Sequence, residues 1–462
     1  MDRISNLPDE IIHHIGSFLS AKEAAFATVL SKRWRTLFNI IPKLDFNGSL
    51  KRGFKDFVDG VLALPVSSRV RTFSLKCIHA PQDEDLINRC LRHVVNRGVL
   101  VLELHIRVAR KGHSYLLPCD VFTCKTVSTM KLGSGFVIDH LLLPADVSLP
   151  SLKSLFLDSV RFFGSDDGRC CSFTTLLSQS PLLEELVMED MEWERWKWCS
   201  TVSSTTLQRL TIQRREWESF DETDDEENIR LDSRCLTHDF DYISFDTPAL
   251  TYLEYSDYVP KEYLIVNLGS LVEANLNLCV DEHGVWQNQH ANTFNPMTLI
   301  NGLKNVEILN LTIEAVEMFY VFNESTPMFE KVSQITIDLS NSCWFSLPTV
   351  IKKFPNLKTL IIEDSLHYRF GEGVLVCECV SEYSFLLSCP VEVLKINKYN
   401  GYVNELEQMK HFLGKLSCLE LVEVRAQATS SEEKLQIMAD LLMLPRASSK
   451  CKIQVKFFQN SY

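Results

Sequence analysis

The chain has 462 residues, of which 45% are apolar and 23% charged, and its formal net charge is −13. That length exceeds one ordinary core and suits two or three domains or an extended repeat array, while the apolar share excludes a chain disordered throughout. The acidic balance, with no long basic stripe to offset it, argues against a dedicated nucleic-acid binder, since phosphate contacts need clustered Lys and Arg.

The start "MDRISNLPDE" lacks the charged segment and apolar run of a secretory signal, and no 18-residue apolar stretch suits a membrane span. The chain therefore reads as soluble and intracellular, in cytoplasm and/or nucleus. Its 15 cysteines are scattered, many of them within apolar runs (Cys77, Cys279, Cys343), and read as reduced, buried small hydrophobes. Cys377 and Cys379 form only a C-x-C and Cys170 adjoins Cys171, neither with the second half that zinc ligation needs. No metal and no cofactor are expected.

From Pro8, the apolar residues Ile11, Ile12, Ile15, Phe18 and Leu19 recur at helical spacing, with Asp9 and Glu10 complementing the helix dipole. A second helix is predicted over Lys22 to Leu30 and a third from Ser31, with Trp34, Leu37 and Phe38 as its apolar side. Three short helices cannot enclose a full core. The apolar surface left over favours a partner, at about 1.5–3 kcal/mol for each large side chain buried.

Beyond residue 98 the pattern changes to L-x-x-L-x-L motifs: Val99-Leu102-Leu104, Val127-Met130-Leu132, Leu152-Leu155-Leu157, Leu183-Leu186-Met188, Leu207-Leu210-Ile212, Leu250-Leu253-Tyr255 and Leu271-Ala274-Leu276. They continue at Val306-Leu309-Leu311, Val332-Ile335-Ile337, Leu357-Leu360-Ile362, Val391-Leu394-Ile396 and Leu419-Val422-Val424. Most spacings suit a strand plus a return segment, and each unit has too little apolar surface to stand alone, so neighbours must stack into one continuous core. The long gap between Leu210 and Leu253 holds "REWESFDETDDEENIR", read as a solvated acidic loop at about 216–230. At the C-terminus, Val403, Leu406, Met409 and Leu413 mark an amphipathic helix. A strand at Leu421 to Val424, a helix at Leu435 to Leu442 and an alternating strand "CKIQVKF" follow, and the block reads as a cap on the solenoid.

"LPDEIIHHIGSFLSAKEAAFATVLSKRWRTLF" resembles the F-box, "LPSLKSLFLDSV" and "FPNLKTLIIED" look like plant leucine-rich repeats, and "CPVEVLKINKYNGYVNELEQMKHFLGKLSCLELVEV" with "LPRASSKCKIQV" is similar to the FBD domain of plant F-box proteins. The resemblance implies an α/β repeat fold: a three-helix F-box (1–45), a linker and N-terminal part of the solenoid (46–97), an irregular leucine-rich-repeat horseshoe (98–379) and a C-terminal α/β cap, the FBD domain (380–462). It further implies the substrate-recognition subunit of a Skp1–cullin–F-box ubiquitin ligase. In such a subunit the F-box docks on a Skp1-like adaptor and through it on a cullin scaffold, while the repeats hold a protein substrate and the receptor itself catalyses nothing. By position in the motif, the resemblance assigns adaptor contacts to Leu7, Pro8, Ile11, Ile15, Leu19, Val29 and Trp34. Gly16 stands where the family commonly has Leu and Ser20 where it has Pro. Gly within a helix costs about 1 kcal/mol relative to Ala, which implies a weaker adaptor contact.

Alternation places the residues between and just after the last two apolar positions of each motif on the concave side. There the acids Asp158, Glu189, Glu254, Asp338, Glu363 and Glu423 outnumber the bases Lys395 and Arg425, six to two. With Asn277 and Asn310 these acids suggest a polar, mildly acidic groove for a substrate segment bearing Lys or Arg. The chain has no glycine-rich phosphate loop, G-x-S-x-G elbow or H-E-x-x-H. "MEWERWKWCS" (191–200) reads as packing of a return segment. A leucine-rich-repeat scaffold outside any ligase, and a sensor that takes a small ligand in the groove, are the competing readings.

Overall fold

The structure is a computed structural model that describes residues 40–48, 51–64, 69–80, 84–108, 115–133, 136–139, 147–163, 172–190, 201–214, 242–279, 294–338, 346–366 and 389–458. The three N-terminal helices, the acidic loop, the Trp-rich stretch and the Cys170–Cys171 and Cys377–Cys379 pairs of the sequence reading lie outside the described residues. The chain divides into two compact units, Met1–Arg230 with Ser244–Thr247, and Leu231–Ile243 with Pro248–Tyr462.

In the first unit the elements are β1 (Ile40–Gly48), α1 (Lys51–Leu62), β2 (Arg69–Ala80), α2 (Glu84–Val95), β3 (Val101–Val108), β4 (Tyr115–Leu116), β5 (Thr129–Gly133), β6 (Phe136–Asp139), β7 (Ser154–Asp158), β8 (Arg161–Phe163), α3 (Ser172–Ser178), β9 (Glu185–Glu189), β10 (Thr201–Ser203), β11 (Arg209–Gln213) and, from Ser244 on, β12 (Tyr242–Asp246). Strands β1, β2, β3, β5, β7, β9 and β11 form a parallel ladder in that order, while β4, β6 and β8 pair in parallel in a small sheet built from return segments. In the second unit come β13 (Tyr252–Tyr258), β14 (Glu262–Asn267), β15 (Glu273–Cys279), α4 (Met297–Gly302), β16 (Ile308–Thr312), α5 (Ile313–Val321), β17 (Gln334–Asp338), α6 (Leu347–Ile351), β18 (Thr359–Ser365), β19 (Val393–Tyr399), α7 (Val403–Lys415), β20 (Leu421–Gln427), α8 (Ser431–Met443) and β21 (Lys452–Phe458). Its ladder runs β13, β15, β16, β17, β18, β19, β20, β21, again parallel.

Each of the twelve L-x-x-L-x-L motifs supplies one ladder strand. Its first apolar residue sits in the turn before the strand and the other two face the core, and none of the 36 side chains is more than 3% exposed. The register stacks like on like. Phe73, Leu102, Met130, Leu155, Leu186 and Leu210 form one core row of the first unit. In the second unit Leu253, Ala274, Leu309, Ile335, Leu360, Leu394, Val422 and Ile453 form another. A recurring hydrogen-bond device fixes this phase. The backbone oxygen of Leu100 accepts from Ser128 N and Thr129 N at 2.8 and 3.1 Å, and those of Lys153, Glu184, Thr251, Val272, Glu307, Ser333, Lys358 and Glu392 each accept two successive N–H groups of the next repeat in the same way.

The ladder begins ahead of the first L-x-x-L-x-L motif, in the stretch read as the linker and N-terminal part of the solenoid. β1 and β2 lie in residues 40–80 and pair in parallel, β1 starting within the last residues of the segment read as the F-box (1–45) and β2 lying in the segment read as linker and N-terminal solenoid (46–97). α1 and α2 join here through their C-terminal ends: Arg97 Nη2 donates to Leu64 O at 2.7 Å and meets His93 Nε2 at 2.8 Å, while the His93 ring bonds the Val61 carbonyl. Arg97 thus serves the Leu64 carbonyl just past the end of α1, while the Val61 carbonyl also accepts from Leu64 N at 3.3 Å. Gly98, at φ +72°, turns the chain out of α2, a conformation that costs Gly least.

The C-terminal block folds as alternation predicts. Glu405, 1% exposed, reaches back from α7 to Asn400 N and Tyr402 N at 3.0 Å each, and Ser430 with Glu433 makes a reciprocal cap on α8.

Two outcomes follow. Leu309→Ala, at a fully buried position in the second ladder, should cost about 2–5 kcal/mol in urea unfolding. Burial first, and then the charge of Arg97, hold the His93 imidazole below its ordinary 6.5. The fold therefore favours the neutral ring: its contribution is complete above the ordinary value and is lost as pH falls through the depressed one. Thermal melts at neutral pH and at about pH 5 should show a larger acid-induced drop in the parent chain than in His93→Gln.

Candidate functional site

Side chains opposite the core rows form the open face of each ladder, and the in-phase register sorts them into rows of polar neighbours. In the second unit one row reads Glu254, Asn275, Asn310, Thr336, Ile361, Lys395, Glu423, Gln454. Its first members are tied into a chain: Tyr252 Oη donates to Glu254 Oε2 at 3.1 Å, Asn275 Nδ2 donates to Tyr252 Oη at 2.8 Å, and Asn310 Nδ2 donates to Asn275 Oδ1. Asn310 Nδ2 also reaches Glu273 Oε1 at 3.5 Å. In the next row Asn277 Nδ2 donates to Ser256 Oγ at 3.1 Å, Thr312 Oγ1 donates to Asn277 Oδ1 at 2.9 Å, and Thr312 stands beside Asp338. Such cross-strand pairs are the unit of sheet stabilisation, each worth about 0.2–1 kcal/mol.

Five of the seven candidate substrate contacts thus share one unit. Glu254 and Asn310 lie in the first of these rows; Asn277 and Asp338 lie in the second, and Glu363 comes one residue after the last β17–β18 pair, Ile337 with Ile362. Asp158 and Glu189 lie in the first unit, side by side at the ends of β7 and β9. Asp158 Oδ1 accepts from Ser159 Oγ at 2.9 Å, and both strands leave through left-handed residues, Ser159 (φ 54°) and Asp190 (φ 48°). In the same row Gly133 leaves room for the His105 ring, whose Nδ1 would lie 2.5 Å from any added Cβ. The seven adaptor candidates, Leu7 to Trp34, lie outside the described residues.

Sequence reasoning missed the residue that opens each strand, Tyr252 and Glu273 among them, although period-two alternation places it on the open face too. It also left the bases underweighted. Across β13 to β18 the three open-face positions per strand carry Glu254, Glu273, Asp338 and Glu363 and no Lys or Arg, whereas β19 to β21 carry Lys395, Arg425, Lys452 and Lys456 against Glu423. The face of the second unit is therefore polarised along its ladder, acid and amide first and base last. Some of this charge is already paired, Lys395 with Glu423 at 3.7 Å; Lys398 pairs with Asp364 at 2.6 Å in the same unit, and Lys131 with Glu103 at 3.1 Å in the first unit.

The groups whose titration burial shifts furthest lie within the fold, with Cys90 pushed up to about 12 and Tyr263 and Tyr399 also raised. Among the described residues, no group of three or more His, Cys, Asp or Glu is placed to hold a metal ion, and no helix is long and apolar enough to cross a membrane.

A phased parallel ladder, one strand per L-x-x-L-x-L motif and a polar open face, defines a leucine-rich-repeat protein. A model of the F-box domain matches residues 4–45, and a model described as the LRR repeats of the FBD-associated F-box protein At5g56370 matches residues 87–247. From Arabidopsis thaliana, the F-box/LRR-repeat protein At3g62440 is 55% identical over 98% of this chain and 100% of its own length. The putative F-box/LRR-repeat protein At5g15620 is 50% identical over 99% and 100%, and the F-box/LRR-repeat protein At2g42720 is 39% identical over 99% and 100%. The chain belongs to this family of F-box/LRR-repeat proteins.

If the amide chain acts as a unit, Asn275→Ala and Asn310→Ala should each cost about 0.5–1.5 kcal/mol. The double variant should cost less than the sum in chemical denaturation.

Proposed function

We propose that this chain is the substrate-recognition subunit of a Skp1–cullin–F-box ubiquitin ligase. The observation that carries the reading is the pairing of an F-box match over residues 4–45 with a phased repeat ladder that presents rows of polar side chains. The F-box docks a Skp1-like adaptor through Leu7, Pro8, Ile11, Ile15, Leu19, Val29 and Trp34, and the adaptor joins the receptor to a cullin. The repeats hold a protein substrate on the open face, with Glu254, Asn277, Asn310, Asp338 and Glu363 in the second unit and Asp158 and Glu189 in the first. The receptor's contribution is effective concentration: a substrate lysine is kept near a charged ubiquitin-conjugating enzyme, and no bond is made or broken by the receptor's own residues. The acidic and amide rows of β13 to β18 suit a substrate segment bearing Lys or Arg.

Co-purification with a Skp1-like adaptor tests this reading. The full chain should retain the adaptor, and Ile15→Asp or removal of residues 1–39 should lose it; the cut falls before Ile40 so that β1 stays whole. Retention by all three forms, or by none, would sink it. Gly16→Leu with Ser20→Pro should tighten adaptor binding by about tenfold in titration calorimetry, given about 1 kcal/mol for the glycine and the restored apolar contact. Charge reversal at Asp338 and Glu363 should weaken capture of a confirmed substrate and leave adaptor binding unchanged.

A further inference from the structure

The last strand of the second ladder ends unlike the others. β20 pairs along one side of β21, and among the described residues no strand pairs along the other. Lys452 N donates to Glu420 O at 2.9 Å. The main-chain groups of Lys452, Gln454 and Lys456 therefore face β20, and alternation turns the N–H and C=O of Ile453, Val455 and Phe457 outward. The side chains of those three residues point to the core side, where their neighbours Val422, Val424 and Ala426 are at most 1% exposed, yet Ile453, Val455 and Phe457 remain half-buried. α8, which packs on this strand, buries Ile437 and Leu441 but leaves Leu435, Met438 and Leu442 at 69%, 39% and 50% exposure. On the open face Lys452 and Lys456 are exposed, Lys456 opposite Arg425, and the two lysines pair with no carboxylate among the described residues.

We propose that the outer edge of β21 accepts an extended segment of a partner protein as an added strand, one that alternates acidic and apolar residues. The outward main-chain groups of Ile453, Val455 and Phe457 supply the ladder bonds. The segment's apolar residues finish covering those three side chains, and its acids stand opposite Lys452 and Lys456 as cross-strand pairs. A second copy of this chain is a poorer occupant, because it would set its own Lys452 and Lys456 beside the first pair, and lysines on an edge strand deter such self-pairing. The inference uses no residue of the F-box and stands apart from the ligase reading.

The test takes the full chain and a fluorescein-labelled seven-residue peptide of alternating Glu and Val, matched in length to β21, with a Lys/Val peptide as control. Fluorescence anisotropy should show the Glu/Val peptide binding at least about tenfold tighter. Val455→Pro removes an outward N–H that the ladder does not use and should weaken binding by about tenfold. Lys452→Glu with Lys456→Glu should reverse the preference between the peptides, and this surface pair carries the test if Val455→Pro lowers the thermal midpoint. Hydrogen exchange at Ile453, Val455 and Phe457 should slow when the peptide is added. Equal binding of both peptides, an unchanged preference in the double Lys variant, or outward amides already protected in the free chain would overturn the proposal. So would a concentration-dependent dimer, seen in sedimentation, that Val455→Pro abolishes.

Discussion

The fold rests on one carbonyl per repeat. The backbone oxygen just before a ladder strand takes two successive N–H groups from the repeat that follows, as Glu307 O takes those of Ser333 and Gln334 at 2.9 and 3.2 Å. Because the same atom recurs in repeat after repeat, strands enter the sheet without stagger, and the period of two along each strand then sorts side chains into core rows and open-face rows. A slip of one residue anywhere would send a row of leucines to water and a row of Asn, Thr and Glu to the core. At about 1.5–3 kcal/mol per misplaced large side chain, a slipped register is no stable competitor of the native one.

That redundancy explains why the repeats were legible. Each motif declares three core residues, and all of them are buried, so the hydrophobic spacing alone located twelve strands. β1 and β2 carry the same spacing as Ile41-Leu44-Phe46 and Val70-Phe73-Leu75, but with Phe in place of one Leu in each and with the first starting inside the segment read as the F-box, so the motif is less plain there. β21 could be read as a strand from alternation. Its status as an edge with a half-covered core side could not, since exposure depends on the neighbour a strand lacks and not on its own residues.

The open face was legible position by position and not as a surface. Which residues point outward follows from parity, and the sequence reading placed Glu254, Asn277, Asn310, Asp338 and Glu363 there. How their charge is spent depends on neighbours across the ladder. Lys395 stands beside Glu423, so one acid and one base of that count neutralise each other and the acids left are those of β7, β9, β13, β17 and β18; Lys131 likewise stands beside Glu103 in the first unit. Exposed pairs of this kind add little stability, about 0–1 kcal/mol each. Their larger effect is on the field that an approaching segment meets, which runs from acid and amide at β13 to β18 to base at β19 to β21.

The in-phase ladder also governs how such a scaffold can vary over generations. Residues added to a return segment leave every row where it was, whereas a single residue added within a strand exchanges core for surface along the rest of that strand. Length can therefore drift between strands, and chemistry can drift along the open rows, while the leucine positions hold still. One backbone can thus carry many surfaces, each reached by substitutions that the folded core does not feel.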